Sequence, residues 1–236
     1  MITENGKTRK RGRPPGRTAE GEVMRRRLYE TAIGLIGEHG YDAATLREVA
    51  ERAGVSPALL YRYFPSKRAV VLVLYDELSD TFVRESKGMP DGRWRDRFLF
   101  ALELSLKTLG PHRGALRALT PAMVGDAEDG VFAEGTAFSR LRVQGVFVAA
   151  VVGASDAPKA GDAESLGRVL YLAHLGCILW WLLDRSAGQR ATRELIRLTQ
   201  SLLPSAALAL RLPLFRTCIK KADALIGEAL LGNRGA

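Results

Sequence analysis

Residues 45–67 gather the side chains best suited to chemistry with another molecule: Arg47, Tyr61, Tyr63 and Lys67, set among the hydroxyls of Thr45 and Ser56. A guanidinium can bond both acceptors on the major-groove edge of guanine, while phenol, hydroxyl and ammonium groups suit phosphate oxygens. The chemistry implied is recognition of a nucleic acid. Groups for turnover are not assembled in the same way. His39, His112 and His174 are scattered, and no ligand spacing of a metal site occurs. A GxSxG elbow, a P-loop and a glycine-rich dinucleotide fingerprint are also missing. Neither an enzyme nor a bound metal or cofactor is expected.

These side chains need short helices held at a fixed angle. Thr45-Leu46-Arg47-Glu48 has the form of a capping box, with the Thr45 hydroxyl and Glu48 carboxylate satisfying each other's backbone N–H groups. That helix runs to about Arg52, and Ala53-Gly54-Val55 is a turn. Ser56-Pro57 then restarts a helix to about Tyr63, serine as cap and proline at the first position. Leu46, Val49 and Ala50 share a face that Val55, Leu60 and Phe64 can meet. Arg47, Ser56, Ala58, Leu59, Tyr61, Arg62 and Tyr63 are left largely outward, and outward aromatics waste apolar surface unless something covers them. The unit is a helix-turn-helix.

The charge distribution agrees. The chain has 236 residues and a net charge of +9. Six of those charges lie on one segment without an acid: Lys7, Arg9, Lys10, Arg11, Arg13 and Arg17. Rich in Gly and Pro and poor in apolar residues, this arm is expected to be disordered when free. Its Arg11-Gly12-Arg13-Pro14 resembles the core of an AT-hook, in which arginines lie in the narrow A·T minor groove. The alternatives are diffuse attraction to phosphate and a plain solvated tail.

The string Thr45-Leu-Arg-Glu-Val-Ala-Glu-Arg-Ala-Gly-Val-Ser-Pro-Ala-Leu-Leu-Tyr-Arg-Tyr-Phe-Pro-Ser-Lys67 resembles the tetracycline-repressor (TetR) family of bacterial regulators. So does the preceding helix, about residues 22–39, with Gly40-Tyr41-Asp42-Ala43-Ala44. The resemblance covers about residues 22–75. It implies that Ser56–Tyr63 enters the major groove, and that Tyr61 and Tyr63 touch the phosphate backbone. Arg47 is the candidate base reader, and Ala58 and Leu59 can pack on thymine methyls. Thr45 and Lys67 stand at helix N-termini, which favour phosphate. Each has a plainer reading: Arg47 paired with Glu51 one turn on, the tyrosines as packing, Lys67 as a solvated charge.

Every later segment also reads as helix: about 67–85, 93–109, 114–124, 131–152, 164–185, 190–211 and 215–231, with a loop at 125–130. No period-two alternation appears, so the fold expected is all-α. Three parts are expected: a basic arm (1–19), a DNA-binding domain (20–67) and a helical ligand-binding and dimerisation domain (68–236), joined by helix 67–86. One recognition helix reads few base pairs, so a homodimer on a near-palindromic double-stranded site is expected. Leu166–Leu183 is apolar on nearly all faces, with Trp180 beside Trp181, and must be covered on all sides. The resemblance implies that helices 164–185 and 190–211 pair with the same two of a second subunit.

It also implies a pocket for a small-molecule effector, within 93–183. Candidate lining residues are Trp94, Phe98, Leu102, Leu106, Phe138, Phe147, His174 and Trp181, each of which is ordinary core on the plainer reading. An apolar ligand is expected. The apolar run Val169–Leu183 falls short of the roughly 18–20 residues a membrane span needs. With no signal-peptide pattern, a bacterial cytoplasmic protein is expected, with Cys177 and Cys218 as packed free thiols. The function expected is a repressor released from its operator by the effector. The alternatives are an activator of the same family and a helical ligand-binding protein without DNA binding.

Overall fold

The computed structural model of the chain describes residues 19–125 and 130–231. The arm with Arg11 and Arg13, and most of the expected loop at 125–130, lie outside the described residues. Among those described the chain is all-α, as expected, with ten α-helices. They are α1 (Ala19–His39), α2 (Leu46–Arg52), α3 (Pro57–Tyr63), α4 (Lys67–Ser86), α5 (Trp94–Leu109), α6 (Arg113–Gly125), α7 (Ala137–Val152), α8 (Ala160–Leu183), α9 (Arg190–Ala209) and α10 (Pro213–Leu231).

The helix ends follow local chemistry. The Ser66 hydroxyl accepts the Ala69 N–H at 3.1 Å to open α4. Gly40, at φ +91°, ends α1 while its N–H still reaches the Ile36 carbonyl at 3.0 Å. Two expectations need correction. Residues 131–136 do not begin the helix that follows: they form a turn and a short 3-10 segment, Glu134–Thr136. The Thr136 hydroxyl donates to the Gly130 carbonyl at 2.7 Å and folds this stretch back on itself. In addition α8 starts at Ala160, ahead of the expected start at about 164, and so reaches 24 residues. By length and composition it could cross a membrane, contrary to the estimate from its apolar run. Leu166, Leu170, Tyr171, His174, Ile178, Trp181 and Leu182 are nevertheless buried within the protein.

Two apolar clusters organise the molecule. The first contains Leu35 and Ile36 of α1, Val49 and Ala50 of α2, and Leu60 of α3 with Phe64. It continues through Val70 and Leu74 of α4 to Leu116 and Leu119 of α6 and to Ile178, Trp181 and Leu182 of α8. The three-helix head and the helical body thus share one core. The second cluster joins Phe82, Phe98, Phe147, Leu166 and Tyr171 in the distal body. There α7 and α8 cross closely. A methyl group at Gly167 would lie 2.5 Å from the Val148 Cα, so only glycine fits. Both cysteines are free: Cys177 is half-buried, whereas Cys218 is exposed on α10 and not packed as expected. Burial raises the Cys177 thiol pKa.

Candidate nucleic-acid interface and core cavity

The reading head is fixed by its caps and its turn. The Thr45 Oγ1 accepts the Glu48 N–H at 3.1 Å, and the Ser56 Oγ accepts that of Leu59 at 3.2 Å. Between them Gly54 takes φ +64°, strained for any residue with a Cβ, and the Val55 N–H reaches the Ala50 carbonyl at 2.9 Å. The capping box is only half formed. The Glu48 carboxylate turns to His39, 3.1 Å from its Nδ1. With Arg52, which bonds Glu38 at 2.6 Å, it ties α2 to the end of α1.

On the outer side, Arg47, Ser56, Ala58 and Tyr61 are exposed, Tyr61 by 52%. Arg47 makes no ion pair with Glu51 or any other described residue. Leu59 and Tyr63 are half-buried, and Tyr63 leans on the head's core. Lys67 differs from expectation. Its Nζ donates to the carbonyls of Tyr41 at 2.6 Å and Asp42 at 3.2 Å, and lies 4.7 Å from the centre of the Tyr41 ring. The ammonium is occupied in fastening α4 to the α1–α2 loop.

Deeper in the body lies a cavity of about 120 Å³ between α4, α5, α6, α7 and α8. Leu78, Phe82, Leu116, Met123, Leu175 and Ile178 supply apolar wall. Ser79, Ser105, Thr108, Thr136, Ser139, Arg140 and His174 bring polar groups to it. His174 is buried, its Nε2 2.8 Å from the Ser105 Oγ. Burial lowers its pKa to about 3, so the ring is neutral near pH 7. Its Nδ1 makes no well-formed hydrogen bond, although the Tyr171 carbonyl one turn earlier slightly favours the charged ring.

Of the six aromatic, leucine and histidine candidates Trp94, Phe98, Leu102, Phe138, His174 and Trp181, His174 alone borders this cavity. Phe98 and Leu102 are sealed in the distal core, and so is the further candidate Phe147, 4.5 Å from the His174 ring centre to centre. The remaining candidate, Leu106, packs at the edge of the first cluster. Trp94 borders a separate open cleft with Arg93, Lys159 and Arg211. Phe138 lies under Arg142, 5.8 Å from its guanidinium. Trp181 donates from Nε1 to Gln189 at 2.7 Å and stacks below Arg113. The residues missed are small and hydroxylated, and their signal is a Ser or Thr on an otherwise apolar helical face.

The head and the body meet at α6. Gly37 of α1 faces the Ala115 backbone, with 3.4 Å from an added Cβ to the Ala115 nitrogen. Arg113, at the start of α6, donates to the carbonyls of Trp181 and Asp184 at 2.9 and 2.8 Å. Leu116 and Met123 of the same helix line the cavity. A capped helix-turn-helix with an outward basic and aromatic face, joined through α4 and α6 to an all-α body that holds a cavity, defines a DNA-binding regulator as a class.

Comparison with known proteins supplies the family. The family described as bacterial regulatory proteins, tetR family, matches residues 28–74. The HTH-type transcriptional repressor KstR of Rhodococcus jostii (strain RHA1) is 33% identical over 186 residues, covering 76% of this chain and 82% of that protein. KstR of Mycolicibacterium smegmatis is 26% identical, covering 72% and 82%. A tetR-family transcriptional regulator from Streptomyces coelicolor shares the fold with a TM-score of 0.60, at 19% identity and covering 86% and 88%. The chain belongs to the tetR family and is a DNA-binding transcriptional regulator. Regulators of this family bind DNA operators and typically form homodimers.

Proposed function

We propose that this chain is a homodimeric repressor whose two α3 helices read the half-sites of a near-palindromic operator, and that a small apolar effector in the body cavity releases it. The observation that carries the reading is the outward face of the head: Arg47, exposed and in no ion pair among the described residues, beside Ser56, Ala58 and Tyr61. A helical ligand-binding protein without DNA binding has no use for that face. Arg47 reads a base edge; Ala58 and Leu59 touch thymine methyls; Thr45, Tyr61 and Tyr63 hold phosphates. The Lys67 ammonium serves instead to orient α4 against the loop 41–42. The arm, with Arg11 and Arg13, adds a minor-groove contact. Repression is favoured over activation because the two most extensive relatives above are named repressors.

The dimer uses α8 and α9. On α8, Ala173, Gly176, Trp180 and Leu183 form a stripe that the chain leaves exposed, while Trp181 faces inward. On α9, Leu198 and Leu202 are more than half exposed. Helix α10 folds onto the first half of α8 through Arg168–Asp223 at 2.6 Å and Lys220–Asp162 at 2.7 Å. The stripe therefore remains open to a second copy. Filling the cavity displaces Leu116 and Met123 on α6, and α6 carries the change to α1 and the spacing of the heads.

The test is binding of the full-length protein to labelled DNA from its own upstream region across a salt series. Affinity should fall steeply between 50 and 200 mM salt, roughly as the number of phosphates contacted. A protein that shows no salt-dependent DNA binding is not this regulator.

A further inference from the structure

We infer that the effector carries a carboxylate, gripped by Arg140 at one end of the cavity; the inference rests on the effector reading and names its chemical class. Arg140, on the first turn of α7, lines the cavity beside Thr136 and Ser139. Its Nη1 donates to the carbonyls of Val131 at 3.4 Å and Ala133 at 3.3 Å. Its Nε is buried and has no hydrogen-bond partner among the described residues. No described carboxylate pairs with the guanidinium. Its charge is felt by the buried Tyr171 phenol across the cavity, whose pKa it lowers against the stronger upward push of burial.

An arginine cannot shed its proton to escape such a site, so a fixed positive charge borders a largely apolar cavity with no carboxylate counter-ion among the described residues. The free side is the Nε–Nη2 edge, one of the two guanidinium edges that accept a carboxylate in parallel, bidentate fashion. Phe82, Leu175 and Ile178 would take the apolar part. Engineered cavities of about 150 Å³ hold benzene, so about 120 Å³ suits an apolar body of roughly five or six heavy atoms. Arg140 also holds the segment 131–133, which follows α6. Capture of an anion by the same guanidinium is therefore felt directly at the end of the helix that touches the head.

The experiment titrates the full-length protein calorimetrically with butanoate, hexanoate, octanoate, cyclohexanecarboxylate and phenylacetate. Each is matched with the alcohol or primary amide of the same skeleton. Wild-type protein should bind at least one acid ten or more times more tightly than its neutral partner. Arg140→Gln should remove that preference, and Arg140→Lys, which keeps the charge but not the fork, should restore only part of it. Folding of both variants is checked by far-UV circular dichroism and thermal denaturation. Equal binding of acids and neutral partners overturns the carboxylate and leaves the effector cavity standing. A preference that survives in Arg140→Gln overturns the role of Arg140. If no compound of either kind binds, the effector reading fails along with it.

Discussion

At the scale of single residues, exposure and pairing separate the side chains proposed to meet DNA from those that hold the head together. Arg47 is exposed and unpaired, so Arg47→Ala should leave the thermal midpoint unchanged while relaxing base preference. Competition with operator variants should show a loss of about 1–3 kcal/mol of discrimination at one position in each half-site. Lys67→Met should do the opposite. It removes an ammonium bonded to two carbonyls of the α1–α2 loop, so thermal denaturation should show a lower midpoint while the salt slope of DNA binding stays nearly constant. Arg47 was legible because helical spacing alone puts it outward. The job of Lys67 was not, because its acceptors lie 25 and 26 positions earlier in the chain. The cavity was hidden for a related reason. Large aromatics such as Phe98 and Phe147 attract attention in a sequence, but they fill the core, and space is left where small hydroxylated residues such as Ser105 and Thr136 meet.

Helices are legible where their ends are decided locally. Ser56-Pro57 at the start of α3 and Gly54 in the turn before it are signals contained in a few residues, and α2 and α3 match expectation almost to the residue. The stretch 131–136 reads as helix by composition. Its actual shape depends on the Thr136 hydroxyl reaching back to Gly130 and on Arg140 reaching two carbonyls, contacts that composition does not specify. Crossing geometry is equally hidden. Gly167 lies inside α8, where glycine usually costs about 1 kcal/mol relative to alanine, yet α7 approaches so closely that a methyl would meet the Val148 backbone. Gly167→Ala should therefore destabilise the protein by about 1–3 kcal/mol, against the trend of helix propensity. Urea denaturation followed by far-UV circular dichroism measures it, and a stabilised variant would show that α7 and α8 can separate.

For the whole molecule, the dimer proposed through the open stripes on α8 and α9 ties assembly to function. Leu198→Glu combined with Leu202→Glu places charge on surfaces already exposed in one chain, so the single chain should still fold. Sedimentation should then report monomers, and operator affinity should fall at least a hundredfold, because one head reads too few base pairs. The joint between head and body sets how faithfully such a molecule signals. Where two helices meet through long side chains, a displacement of one is partly absorbed by rotamer changes before it reaches the other. At Gly37 there is no side chain to yield, and α1 rests almost directly on the Ala115 backbone. The coupling resembles a gear with little backlash: small displacements of α6 reach the head nearly undiminished, and the proposed effector, of only a few atoms, need not cause a large movement to be heard.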